Sequence, residues 1–253
     1  MRRQYLLLCT GILCVTLFCS GVVCAATTEV TVEKYRTDGS LILNKTVDYS
    51  WMEQNLPVVG DGNTRYYLQG PVFEGDMWDP TESINVEAKD MGMLRGTAVK
   101  DLCDLVGGAA PGDRIEFVAE DGLKKSFPQK YIYTPDPRMG TVFLAWQHEE
   151  YGYVPEYYTG MRLMFTADTS VNPWGYHVFG NTDEAATMDE ADWYYYSGKY
   201  PTTTGLSVQN VRTVRILEDA DTPAPMETQA PAPCLVVLFV TAAAGLYFLG
   251  RPS

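Results

Sequence analysis

Two apolar stretches bracket a strongly acidic body, and that arrangement constrains this chain more than any other feature of its sequence. Residues 234–250 carry no charge, and as a helix these seventeen residues rise about 25 Å, slightly less than the ~30 Å hydrocarbon core of a bilayer. Arg251 follows, expected on the cytoplasmic side. Residues 219–233 (DADTPAPMETQAPAP) are rich in Pro, Ala and Thr, too poor in apolar surface to fold, and read as a semi-rigid spacer. With a spacer before it and three residues after it, the apolar run reads as a transmembrane helix rather than a buried core helix. At the other end, Arg2 and Arg3 precede an apolar run over residues 5–18 and the small residues Ala25 and Ala26. Residues 1–26 therefore read as a secretory signal peptide. Because residues 5–26 are also long enough to span a bilayer, an uncleaved anchor is the alternative. The expected address is the cell membrane, with residues 27–218 as a domain on the extracytoplasmic side.

Charge and cysteine usage narrow the function classes. The formal net charge is −13, and three of the basic residues lie in the end segments. Residues 27–233 keep 16 basic against 32 acidic residues, a net −16. A duplex requires a basic face, so nucleic acid is excluded as a partner. Of six cysteines only Cys103 belongs to the domain, so no disulfide framework is expected despite export.

The domain reads as α+β, mixed and mainly β. Residues 29–35 and 41–47 are β-rich runs on either side of Thr37-Asp38-Gly39-Ser40, a hairpin signal. Ser50-Trp51-Met52-Glu53 has capping-box spacing, which predicts a short helix from Trp51 that stops before Pro57. Residues 64–68 read as a strand. The clearest helix spans residues 98–106, with Thr97 as its cap and Gly107-Gly108 as its end. Val99, Leu102, Cys103 and Val106 give it one apolar face. Residues 114–118 and a run ending near Phe127 form strands around Asp121-Gly122. Residues 141–146 and 161–166 are further strands, residues 189–196 a short aromatic helix, and residues 208–217 the closing strand.

Residues 96–128 (GTAVKDLCDLVGGAAPGDRIEFVAEDGLKKSFP) resemble the middle of the oxidoreductase molybdopterin-binding domain of the sulfite oxidase type. That family shows a Gly, a short Leu-rich helix ending in Gly, a Pro-Gly, a strand, an Asp-Gly turn and a strand ending near Pro. Gly160-Met161-Arg162-Leu163 resembles its Gly-x-x-Arg-Leu segment, and residues 208–218 (VQNVRTVRILE) resemble its last strand. The resemblance covers residues 47–218. It implies a molybdopterin cleft to which Tyr66, Tyr67, Gln69 and Arg162 contribute. Catalytic members hold molybdenum through a cysteine thiolate on the strand before the Leu-rich helix, and the matching residues 66–71 (YYLQGP) have none. Cys103, on the apolar helix face, is expected to be a small core residue. Neither His148 nor His177 matches a family position. The resemblance thus implies an inherited fold without the chemistry. The chain is also similar to a group of short archaeal surface proteins that share its WMEQNLPV and YYTGMRL strings. Some of them carry an argininosuccinate synthase label. That reaction needs a Ser-Gly-Gly-type pyrophosphate loop, and Val106-Gly107-Gly108-Ala109 has no Ser before its glycines.

Three further features are candidate sites. Glu74, Asp76, Asp79 and Glu82, with Asn85 close behind, could hold Ca²⁺, which takes six to eight oxygens; the other reading is a solvated acidic loop. Aromatic residues cluster in three loops: Tyr151, Tyr153, Tyr157 and Tyr158; Trp193 to Tyr196; and Trp174 with Tyr176. They either stack on sugars or flat ligands or plug a small core. Together with residues 66–71 they are expected to line the cofactor cleft that the resemblance implies. Asn44-Lys45-Thr46 is an N-glycosylation sequon. The functions in view are a binding module for a ligand, cation or surface-protein partner, a molybdopterin-dependent oxidoreductase, and a structural or adhesive envelope protein. Deleting residues 234–253 is expected to release the domain into the medium, as read by fractionation; retention on the membrane would place the anchor in the N-terminal segment instead.

Overall fold

Runs of β-branched and aromatic residues, closed off by glycine-containing turns, build most of this structure, a computed structural model that describes residues 26–167 and 171–219. The leader, spacer and apolar helix expected from the sequence lie outside the described residues. Among the described residues no helix is long and apolar enough to cross a membrane. The elements in chain order begin with β1 (Glu29–Tyr35), β2 (Leu41–Asp48), α1 (Tyr49–Asn55), β3 (Val58–Val59) and β4 (Arg65–Leu68). Next come β5 (Asp90–Ala98), α2 (Val99–Asp104), β6 (Arg114–Ala119), β7 (Lys124–Pro128), α3 (Lys130–Tyr133) and β8 (Phe143–His148). The last are β9 (Gly152–Tyr153), β10 (Arg162–Met164), β11 (His177–Phe179), α4 (Asn181–Thr187), β12 (Tyr195–Tyr196), β13 (Tyr200–Pro201) and β14 (Val211–Leu217). The fold is mainly β with mixed sheets, as the composition of the strands leads one to expect.

One sheet runs β2-β1-β14-β6-β7, with β1 parallel to β14 and every other pair antiparallel. The second runs β10-β8-β5-β4-β11, with only β4 and β11 parallel, and β3 and β9 joining at β5 and β8. The β1–β2 hairpin turns where Asp38 and Gly39 place it. The Asp38 carboxylate accepts from the Ser40 N–H at 2.8 Å, and Gly39 adopts the left-handed conformation at φ +79°. The larger of two apolar clusters passes through both sheets. Val32, Phe117, Val214 and Ile216 enter it from the first sheet, and Leu94, Phe143 and Leu144 from the second. The expected face of α2, Val99, Leu102, Cys103 and Val106, is buried in that core.

Three local expectations are corrected by the structure. Helix α1 starts at Tyr49, because the Asp48 carboxylate caps it by accepting from the Trp51 N–H at 2.7 Å; Ser50 lies inside the helix. Thr97 does not cap α2. It is fully buried in β5, and its hydroxyl accepts instead from the Trp146 indole N–H at 3.0 Å. Residues 189–196 contain only a 3-10 turn at Glu190–Asp192, after which Tyr195 and Tyr196 enter a small hairpin.

The central strand β5 left no strand signal in the sequence, since DMGMLRGTA contains two glycines and little β-branching. Both glycines are there for close approach. A Cβ on Gly92 would run into the His148 ring, and one on Gly96 would meet the Leu144 carbonyl and the Phe143 ring. Gly96→Ala is expected to cost about 1–3 kcal/mol in urea unfolding, the usual range for overpacking. Unchanged or raised stability would show that β5 and β8 do not approach this closely.

Candidate functional site

Where β4 ends, the chain turns through Gln69, Gly70 and Pro71, and Gln69 becomes the centre of a buried polar network. Its side-chain amide donates to the Asp79 carboxylate at 2.7 Å and to the Ile84 carbonyl at 2.9 Å. The amide oxygen accepts from the Asn181 N–H at 2.8 Å, at the start of α4. Its backbone N–H donates to the Thr203 hydroxyl, and its carbonyl accepts from the Thr202 hydroxyl, both at 2.8 Å. Gln69 is fully buried, so this complete satisfaction is what allows it there. Asp79 in turn organises the acidic loop. Its carboxylate also accepts from the N–H groups of Ser83 and Ile84, each at 2.8 Å, and from the Thr81 hydroxyl. These bonds hold the loop while Asp79, Glu82 and Asn85 all adopt left-handed backbone conformations.

This framework shapes a cavity of about 450 Å³ beside Gly70 and Pro71. Phe73, Tyr194 and Tyr196 supply aromatic walls, and Lys89 is the one charged residue among those that line it. Phe73 and Tyr196 meet edge to face with centroids 6.1 Å apart, and both are at least half exposed. Tyr194 is held more firmly. Its N–H donates to the Glu184 carboxylate at 2.6 Å, Lys125 Nζ sits 3.9 Å from its ring centroid, and a Cβ on Gly205 would strike the ring.

Buried acids lie behind the cavity. Glu82 from the loop faces Asp183 of α4, and Arg138 forms an ion pair with Asp183. Burial first, then the neighbouring Asp183, hold the Glu82 carboxyl well above the usual carboxylate range, so it keeps its proton. Glu184 is also fully buried, with Oε2 lacking a hydrogen-bond partner. Burial pushes its pKa up to about 7, opposed by the Tyr194 N–H and by Lys125.

The structure divides the residues singled out from the sequence. Tyr66 is a core residue that packs edge to face on Phe143 and His177. Tyr67 is buried with Val86, Val178 and Tyr176. Arg162 lies elsewhere. It donates to the Ser207 hydroxyl at 2.9 Å and lines a separate, polar cavity of about 260 Å³ with Arg65, His148, Tyr151 and Tyr158. Tyr66, Tyr67, Gln69 and Arg162 therefore do not converge on one cleft. The four acidic residues do not converge either. Glu74 and Asp76 are exposed, Asp79 is saturated by the loop's own donors, and Glu82 turns inward to Asp183. Among the described residues no three His, Cys, Asp or Glu side chains group so as to hold a metal ion. Cys103 is buried on the core face of α2, where burial pushes its thiol above the ordinary range. What the structure does bring together is the 66–71 stretch, through Gly70 and Pro71, with the aromatic loop at Tyr194 and Tyr196. Phe73, Lys89 and the Thr202–Gly205 turn at this cavity carried no sequence signal, because residues so far apart along the chain meet only in the folded structure.

The raised carboxyls predict a pH slope. Both hold protons that the unfolded chain releases above about pH 4.5, so their full contribution to stability is present below that pH and declines above it. For Glu184 the decline runs through about pH 7. Glu184→Gln is expected to flatten the fall in urea-unfolding stability between pH 5 and 8 and to exceed the parent at pH 8. A slope equal to the parent's would mean that Glu184 is ionised in the folded protein.

No family model matches this chain, and neither does any curated protein.

Proposed function

We propose that this domain is a binding module for a ring-bearing small molecule, of the saccharide type, held on the outer face of a membrane. The observation that carries the reading is the cavity of about 450 Å³ walled by Phe73, Tyr194 and Tyr196. Its size lies in the range of ligand pockets, and aromatic faces with a few polar groups at the rim are the usual means of holding a ring. Asn85, Lys89 and Thr204 supply those polar groups. The external address follows from the apolar ends and the anionic body, which is suited to water rather than to a nucleic-acid or anionic surface.

The molybdopterin-type resemblance enters this reading as a relationship of fold, without the redox chemistry. Residues 66–71 have no cysteine, and two of the three positions that the resemblance implied there, Tyr66 and Tyr67, are packed into apolar surroundings. Cys103 faces the core and not either cavity. The residues present do not fit a thiolate-held molybdenum.

Isothermal titration with a panel of mono- and oligosaccharides tests the reading. For a ligand that binds, Phe73→Ala and Tyr196→Ala are each expected to weaken affinity about tenfold, the scale of one lost ring contact. Tyr158→Ala, at the other cavity, should leave it unchanged. Binding indifferent to the two cavity variants, or no saccharide binding at all, would overturn the proposal. So would stoichiometric molybdenum in protein purified from its native host.

A further inference from the structure

The chain has one Asn-x-Ser/Thr sequence, Asn44-Lys45-Thr46, and the fold places it on β2, the outermost strand of its sheet. Among the described residues no strand pairs with the outer edge of β2. An open edge is a template for pairing with another chain, and proteins usually blunt it with charge. The opposite edge, β7, begins with the exposed Lys124 and ends in Pro128. β2 lacks that protection. Leu41, Ile42 and Leu43 are exposed in succession, and its single lysine, Lys45, is drawn over the Trp51 ring at 4.3 Å.

Asn44 is well placed to supply the missing cover. The strand register pairs it with Glu33, and Thr46 with Thr31. Glu33 belongs to the polar outer face of the sheet, where Arg215 bonds both Glu33, at 2.9 Å, and Glu116, at 3.1 Å. Val47 and Val30, on the opposite face, are buried. Asn44 therefore projects away from the core at an exposed position, and the Thr46 hydroxyl is exposed too, in contact only with that of Thr31 at 2.8 Å. A bulky, solvated group on Asn44 requires no rearrangement of the fold.

We propose that Asn44 is an N-glycan acceptor and that its glycan screens the apolar edge of β2. The inference rests on the export reading, because the transfer takes place outside the cytoplasm. The donor class is a polyprenyl-(pyro)phosphate-linked oligosaccharide. Asn44 Nδ2 forms a bond to the anomeric carbon as the bond from that carbon to the phosphate oxygen breaks. Nδ2 gives up one proton, and the lipid (pyro)phosphate departs with the bonding pair. No redox change occurs.

The test is to express the full chain, with both apolar ends, in a eukaryotic secretory host, and to fractionate it before mass analysis. The tryptic peptide beginning at Thr37 should carry added hexose and N-acetylhexosamine mass, removed by peptide N-glycosidase. Asn44→Gln and Thr46→Ala should both lose it, while Thr46→Ser should retain it. Enzymatic removal of the glycan from the detergent-solubilised protein should raise its self-association in sedimentation. Chain that reaches the cell surface with Asn44 unmodified would overturn this inference and leave the export reading standing. Unmodified chain retained in the cytosol would overturn both. Modification with no change in self-association on its removal would overturn the screening role.

Discussion

The hydrogen-bond capacity of one neutral side chain, the amide of Gln69, holds the candidate site in place. Its side chain joins the end of β4 to the acidic loop and the start of α4, and the backbone of the same residue adds the Thr202–Thr204 turn, all far apart in sequence. A buried group that depends on it, such as the Asn181 N–H, would otherwise lack a partner, at about 1–3 kcal/mol. The network is therefore cooperative: loosening one segment strands the partners of the others. The cavity floor, Gly70 and Pro71, follows directly from this residue in the chain, so the shape of the site depends on the network.

Acidity is handled in two ways. On the outer face of the first sheet, Arg215 lies between Glu33 and Glu116, and Arg65 lies between Asp90 and Glu149 at the rim of the polar cavity. Inside, where two carboxyls approach and one guanidinium pairs with only one of them, burial and the neighbouring acid raise the pKa of the other. Glu82 against Asp183 and Arg138 is that case. The same loop supplies Asp79 to the Gln69 network and Phe73 to the cavity wall, so the chemistry of the buried acids and the shape of the site are linked through one segment.

The aromatic residues serve two ends that composition does not separate. Tyr153 stacks on Trp146 and donates to Glu53, Tyr157 is buried, and Trp193 donates its indole N–H to the carbonyls of Glu184 and Met188. These fill space beneath loops. Tyr196, Tyr158 and Trp174 stay exposed. Of the exposed rings, Tyr151 and Tyr158 line the smaller polar cavity and Phe73 and Tyr196 the cavity of about 450 Å³, and the functional reading rests on the latter pair. Phe73 stood outside every cluster visible in the sequence.

Features that depend on near neighbours along the chain are legible before any fold is known. The β1–β2 hairpin follows from Asp38-Gly39, the face of α2 from the spacing of Val99, Leu102, Cys103 and Val106, and the β6–β7 pair from alternation around Asp121-Gly122. Periodicity and turn chemistry act within a few residues, so they are legible without a fold. Even there, the helix cap passed to Asp48 and not Ser50, because the last strand residue was already oriented to accept. The remaining features arise from packing between distant segments. β5 is a strand because Gly92 and Gly96 let β8 approach, and Gln69 is a hub because three remote segments converge on it. The tyrosines of β4 became core while Gly70 and Pro71, just beyond the strand, became the floor of a cavity. Those outcomes depend on contacts between residues tens to more than a hundred positions apart, and no local pattern encodes such contacts.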